Sequence, residues 1–199
     1  MRLIVGISGA SGIIYGIRLL QVLKDFNVET HLIMTNSAKE TLRLETDYQV
    51  HEVEALASKS YNINDIAAPM ASGSFKFDAM VIVPCSMKTL AGIATGYASN
   101  LLLRAADVAL KEHRPLILVI RETPLNIIHI RNMLIAAKAG AIILPAMPGF
   151  YHNPKTIQDM IDFIIGKILD QLGLEHNLYE RWKGPLYKIK ASKINQNIK

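Results

Sequence analysis

The residues best suited to chemistry lie at the very start of the chain. The stretch GISGASGIIYG sets Gly6, Gly9 and Gly12 among Ser8 and Ser11, behind one apolar run and ahead of another. Glycines this dense at a strand-to-helix junction let bare backbone approach a phosphate. Their spacing is G-x-x-G-x-x-G, whereas dinucleotide sites use G-x-G-x-x-G. Further polar groups follow apolar runs at Thr35, Asn36 and Ser37, in PCSMKT (Ser86, Met87, Lys88, Thr89), and at Arg121 and Glu122. Hydroxyls, helix N-termini and a single arginine suit one phosphate and a polar ring.

These groups need a frame that brings them to one edge. RLIVGIS, AMVIVP, PLILVI and AIILPA are apolar runs of strand length, and VETHLIMT reads as a further strand. Between and after them come helical patterns: SGIIYGIRLLQVLKDF, NSAKETLRL, SMKTLAGIATG, NLLLRAADVALKEH, PLNIIHIRNMLIAAKAG and PKTIQDMIDFIIGKILDQLG. Ser37 followed by Glu40 reads as a capping box, and the last two helices read as running from proline to glycine. Strands apolar throughout, alternating with helices, predict a single-domain α/β three-layer sandwich of flavodoxin/Rossmann-like type with a parallel sheet. In such a sheet the ligand lies at the carboxyl ends of the strands, which selects the loops beginning at Ser8, Thr35, Pro84, Arg121 and Pro145. Residues 58–78 break the rhythm and read as a functional loop. The second strand ends in MTNS, with no acid for a ribose diol. A mononucleotide therefore fits better than a dinucleotide, and FMN suits a flavodoxin-like layout of this size.

Composition narrows the class. The chain has 199 residues, half of them hydrophobic, enough for one well-filled core. No apolar run is long enough to span a bilayer, no secretory signal is read at the start, and one cysteine, Cys85, allows no internal disulfide. These features predict a cytoplasmic protein. The net charge of +5 resides in residues 181–199, which carry six Lys/Arg and no acid, leaving −1 for the remainder. A solvated basic tail at 188–199, beyond a flavin-binding domain at 1–187, is expected rather than a nucleic-acid surface. The histidines show no metal-ligand spacing, and no metal is assigned.

GASG, PCSxxT, LLRAADVALKE, RETP and LPAMPGFYH, in this order, resemble the UbiX-type flavin prenyltransferases, from about residue 3 to Trp182. The resemblance implies a flavodoxin-like enzyme that binds reduced FMN and joins to its N5 and C6 a dimethylallyl group from dimethylallyl phosphate. The product, prenylated FMN, would pass to a UbiD-type decarboxylase, often in ubiquinone biosynthesis. A homododecamer with sites at subunit contacts is implied too. Carried onto this sequence, the FMN contacts are Gly9, Ala10, Ser11, Ser37, Ser86, Met87, Lys88, Thr89 and Arg121. Tyr151 and Lys167 would hold the prenyl phosphate, with Arg104 and Lys111 close by. Glu122 would handle the proton, Ser11 and Ser72 would lie in the active site, and Trp182 would close over it. Lys167 stands where the family often has arginine, keeping the charge but losing the bidentate fork.

The residue types suit that chemistry. A departing phosphate wants cations and donors, an allylic cation wants an aromatic face, and bond formation at nitrogen wants a proton carrier. No paired aspartates of the kind that hold magnesium in diphosphate-using prenyl enzymes occur, consistent with a monophosphate donor. Each residue also has a plainer reading. Ser37, Ser86 and Glu122 can be caps, Arg104 and Lys111 one solvated helix face, Lys167 a snorkelling cation, and Cys85 packing. The rivals are a flavin-dependent cysteine decarboxylase, which would carry PASANT and PAMN motifs and a catalytic histidine, and a non-catalytic FMN carrier. A nicotinamide-dependent oxidoreductase is disfavoured by the glycine spacing.

Overall fold

The computed structural model describes residues 1–184. The boundary drawn at residue 187 and the basic tail at 188–199 lie outside the described residues. In chain order the elements are β1 (Arg2–Ile7), α1 (Ile13–Asp25), β2 (Glu29–Met34), α2 (Asn36–Glu45), α3 (Val50–Glu54), β3 (Lys59–Tyr61), β4 (Ala79–Cys85), α4 (Met87–Thr95), α5 (Leu101–Lys111), β5 (Leu116–Ile120), α6 (Ile127–Lys138), β6 (Ala141–Pro145) and α7 (Ile157–Leu172). All strand pairs are parallel, in the order β3-β2-β1-β4-β5-β6. Without the three-residue β3, the order is that of flavodoxin-like sheets, and its reversal falls between β1 and β4.

The largely apolar strands β1, β4 and β5 are explained by helices on both faces. Leu3, Val5 and Ile7 of β1 and Val81 and Val83 of β4 pack with α1, α2 and α7. Ile4, Met80, Ile82 and Cys85 pack with α4 and α5 on the other side. The alternation slips at Pro84, where the β4–β5 register shifts between Ile82 and Cys85. Proline lacks the amide that a central strand needs. Helix α7 buries Phe163, Ile164, Ile165, Ile168 and Leu169, each contributing about 1.5–3 kcal/mol of transfer free energy.

Local predictions were corrected at helix starts. Thr35, not Ser37, caps α2, its hydroxyl accepting from the Ala38 amide at 3.1 Å. Asn126 and Thr156 cap α6 and α7 with reciprocal boxes, so Pro124 and Pro154 precede these helices instead of opening them. Residues 58–78 are not wholly loop, since they supply edge strand β3 and a 3₁₀ turn at Pro69–Ala71. Helix α3 was not anticipated.

Candidate functional site

At the reversal point the sheet ends are tied by one buried hydroxyl. Ser8 Oγ donates to the Pro84 carbonyl and accepts from the Ser86 amide, both at 2.8 Å, while the Ser8 amide reaches the same carbonyl at 3.2 Å. Sequence reading used Ser8 only as the start of a loop. Its role became visible once β1 and β4 were known to be neighbours. Just beyond it, Gly9 lies against α2. A methyl there would overlap Ser37 Cβ and stand 3.0 Å from the Ser37 carbonyl carbon and 3.2 Å from its Cα. This glycine is required by close approach.

These contacts frame a cleft of about 690 Å³, lined by Gly9, Asn36, Ser37, Ser86, Lys88, Thr89 and Asn100 among others. That volume is typical of a small-molecule site. The first turns of α2 and α4 and the N-cap of α5 open onto it, so partial positive charge from three helix ends meets the Lys88 ammonium. Ser86 is a true cap, accepting from the Thr89 amide at 3.3 Å and donating to Thr89 Oγ1 at 3.1 Å. The plainer reading of Ser86 is therefore correct, and the residue lines the cleft as well.

One expectation about the glycine loop is revised. The α1 N-terminus carries a carboxylate from its own chain: Glu45 Oε2 accepts from the Gly12 amide at 2.8 Å and the Ile13 amide at 3.1 Å. An anion already covers those donors, so the start of α1 is closed to a phosphate and the helix ends that open onto the cleft remain. Glu45 escaped sequence reading because its partners are more than thirty positions away.

Ala10, Ser11, Met87 and Arg121 do not line the cleft. Ala10 is buried, Ser11 is exposed, and Met87 packs against the α4–α5 core. Arg121 stands at the same edge, its amide donating to the Cys85 carbonyl at 3.3 Å. It lies close enough to Tyr15 that its charge partly offsets the upward push of burial on that phenol. Glu122 Oε1 accepts from the amide of its neighbour Thr123 at 3.0 Å.

The remaining predicted residues form two other groups, and none of them lines the 690 Å³ cleft. Ser72 sits in a shallow hollow whose loop is clamped onto α5. Arg104 Nε donates to the Ala71 carbonyl at 3.0 Å, and Arg114 donates to the carbonyls of Phe75 and Gly73. Arg104 also pairs with Asp107 at 2.6 Å, and Lys111 pairs with Glu112 beside Gly73. The α5 face predicted from the spacing of Arg104 and Lys111 therefore exists. It meets the 58–78 segment and is partly exposed rather than buried in apolar surroundings. Tyr151 and Trp182 line a separate cavity of about 430 Å³, their rings edge to face at 5.9 Å. Lys167 reaches that group only through Asp170, at 3.5 Å. His152 lines the same cavity, stacked on Phe163 at 5.0 Å, with both ring nitrogens buried and, among the described residues, without a hydrogen-bond partner. Among the described residues, no cluster of three or more His, Cys, Asp or Glu is placed to hold a metal ion, and no helix is long and apolar enough to cross a membrane.

This geometry matches known proteins. Residues 1–169 match the Flavoprotein family. The flavin prenyltransferase UbiX of Escherichia coli K12 is 54% identical over 186 residues, covering 92% of this chain and 98% of the relative. The chain belongs to the UbiX flavin prenyltransferase family. Among solved structures, AnUbiX (PadA1) in complex with FMN and dimethylallyl pyrophosphate superposes with a TM-score of 0.91 at 51% identity, covering 92% of this chain and 97% of that one. A dodecameric FMN-dependent Ubix-like decarboxylase from Escherichia coli O157:H7 gives 0.91 at 52% identity, with 92% and 100% covered. The rival cysteine decarboxylases share the fold alone: peptidyl-cysteine decarboxylase EpiD is 15% identical with a TM-score of 0.59. As in the UbiX family at large, this chain is an α/β flavoprotein built on a parallel sheet.

Proposed function

We propose that this chain is a flavin prenyltransferase that joins the dimethylallyl group of dimethylallyl phosphate to N5 and C6 of reduced FMN, giving prenylated FMN. The observation that carries the reading is the cleft at the β1/β4 reversal, where Ser37, Ser86, Lys88 and Thr89 converge beside a glycine that cannot bear a side chain. Two helix ends and a lysine fit one phosphate, and the volume fits one nucleotide. FMN would be held by these groups with Gly9, Ala10, Ser11 and Met87, and Arg121 would add charge at the same edge. When bound, the reduced flavin supplies the nucleophilic ring atoms.

The chain's own residues do the rest. Tyr151 and Lys167, with Arg104 and Lys111, donate to the departing phosphate and balance its charge. The orphaned nitrogens of His152 fit a cavity that receives a polar group. Trp182 offers an aromatic face to the allylic carbon as it gains cationic character. Glu122 accepts and returns a proton at its carboxylate, and the hydroxyls of Ser11 and Ser72 orient the reactants.

These residues stand in three groups on a single chain, so the complete site is formed between copies. The outer face of α6 supports association. Ile127, Ile128, Ile130 and Leu134 are each at least half exposed there, and a helix apolar on its outer face as well as its inner one is normally covered. A homododecamer, as in the Ubix-like relative, is the assembly we propose, acting in the cytoplasm and passing product to a UbiD-type decarboxylase of ubiquinone biosynthesis.

The test is anaerobic incubation with reduced FMN and either dimethylallyl phosphate or the diphosphate, followed by mass spectrometry of the released flavin. We expect a flavin heavier by one prenyl unit from the monophosphate. An unchanged mass with both donors, from folded protein that binds FMN, would leave the non-catalytic carrier instead.

A further inference from the structure

An acid in the last turn of a helix is disfavoured by the helix dipole, which places partial negative charge there. Asp170 occupies such a position in α7, so its carboxylate must be held by something stronger. Four donors surround its two oxygens. Oδ1 accepts from Arg181 Nη2 at 2.8 Å and His176 Nε2 at 3.1 Å, and Oδ2 accepts from the Tyr179 hydroxyl at 2.7 Å and pairs with Lys167 Nζ at 3.5 Å. The tautomer follows from the surroundings. His176 Nδ1 accepts from the Leu178 amide at 3.2 Å, so Nε2 carries the proton given to Asp170. Burial opposes ionisation of Asp170, and the bonds from Arg181, Tyr179 and His176 overcome it, so the carboxyl is held below its ordinary range.

Three of the four donors lie on one stretch of chain. Residues 174–184 follow the glycine that ends α7 and contain no helix or strand. The stretch lies directly on the helix backbone: a methyl at Gly166 would come within 2.6 Å of His176 Cε1 and of the Tyr179 ring. It ends by bringing Arg181 and Trp182 to the cavity shared with Tyr151. Trp182 is weakly held by itself, since it is 59% exposed and among the described residues its ring contact is with Tyr151. The same carboxylate also pairs with Lys167.

We propose that Asp170 is a positioning residue for the prenyl-donor pocket: its carboxylate latches the 174–184 strap to α7, holding Trp182 and Arg181 against Tyr151 and aiming the Lys167 ammonium. This rests on the proposed reading of the Tyr151–Trp182 cavity as the donor side. The latch itself can be tested without that reading.

Trp182 is the chain's only tryptophan, so its fluorescence reports the strap directly. Asp170→Asn keeps the shape and one acceptor but places an amide NH2 among donors, and Asp170→Glu keeps the charge. In full-length protein, acrylamide quenching of Trp182 should rise about twofold or more in Asp170→Asn, because the indole loses its fixed contact. FMN affinity should stay within about twofold of the parent, since the flavin cleft shares no residue with the latch. KM for dimethylallyl phosphate should rise about tenfold while kcat changes by less than about threefold, the signature of lost ground-state positioning. Asp170→Glu should recover most of both effects. Unchanged quenching in Asp170→Asn would overturn the latch whether or not the protein prenylates flavin. Raised quenching with KM unchanged would overturn the role in the donor pocket. Parallel loss of FMN binding would show a merely structural residue and overturn it too.

Discussion

Substituting Gly9 by alanine tests the site at its tightest point. The new methyl would overlap Ser37 Cβ and stand 3.0 and 3.2 Å from two Ser37 backbone atoms, where carbon contacts are comfortable at about 3.5–4.0 Å. Backbone cannot rotate away as a side chain can, so the first turn of α2 must retreat by about 0.5–1 Å. Overpacking of this kind costs about 1–3 kcal/mol. If about 2 kcal/mol of that is felt by the folded protein, the melting temperature drops by about 4–8 °C for a chain of this size. The retreat also pulls the Ser37 end of the cleft off the phosphate. A loss of about 1.4–2.8 kcal/mol there weakens FMN binding by about 10–100-fold. Flavin titration and calorimetric melting read the two effects separately. Gly140→Ala is the control, because its φ of +106° makes alanine strained, yet nothing lies within 4 Å of the added methyl. It should lose about 1–2 kcal/mol of stability and leave FMN affinity within about twofold of the parent. A Gly9→Ala protein that binds FMN as tightly as the parent would refute the argument that this glycine exists to bring α2 against the ligand.

Two further outcomes are expected. Glu122→Gln should bind FMN normally and lose prenylation by about 100-fold or more, the usual scale of a positioned acid–base group. Unchanged turnover, measured by mass spectrometry, would remove Glu122 from the mechanism. Burial pushes the Cys85 thiol up to about 12, so at pH 8 the folded protein holds it protonated. Because the thiolate is the reactive form, a thiol reagent should label native protein hardly at all and label it fully once denatured. Rapid labelling of the native state would contradict its burial.

The unequal legibility of the sequence has physical causes. Strands β1, β2, β4 and β5 could be read because they are largely buried on both faces, which favours an apolar run, and the edge strand β6 is apolar although only partly buried. Strand β3 was missed because Lys59–Tyr61 is a short, partly exposed edge and carries no such demand. The cap of α2 was placed at Ser37 rather than Thr35, since Thr35, Asn36 and Ser37 all offer capping side chains and only backbone dihedrals choose among them. Asn126 and Thr156 were passed over for nearby prolines for the same reason. Met87 and Arg104 carry types that fit a site, and the fold gives each a structural contact as well, one against the core and the other on a loop. Residue type does not reveal which neighbour the fold will supply.

By itself the sequence determined the alternating elements, the parallel sheet and the edge where polar groups must gather, because periodicity and burial act over a few residues at a time. It also carried the motifs that place the chain among its relatives. Only the tertiary structure decided that Gly9 meets Ser37, that Glu45 covers the start of α1, and that Ser8 bridges two strand ends. Those pairings are set by how helices settle on the sheet. Short-range patterns in the chain do not encode contacts that form only when far-separated segments close together.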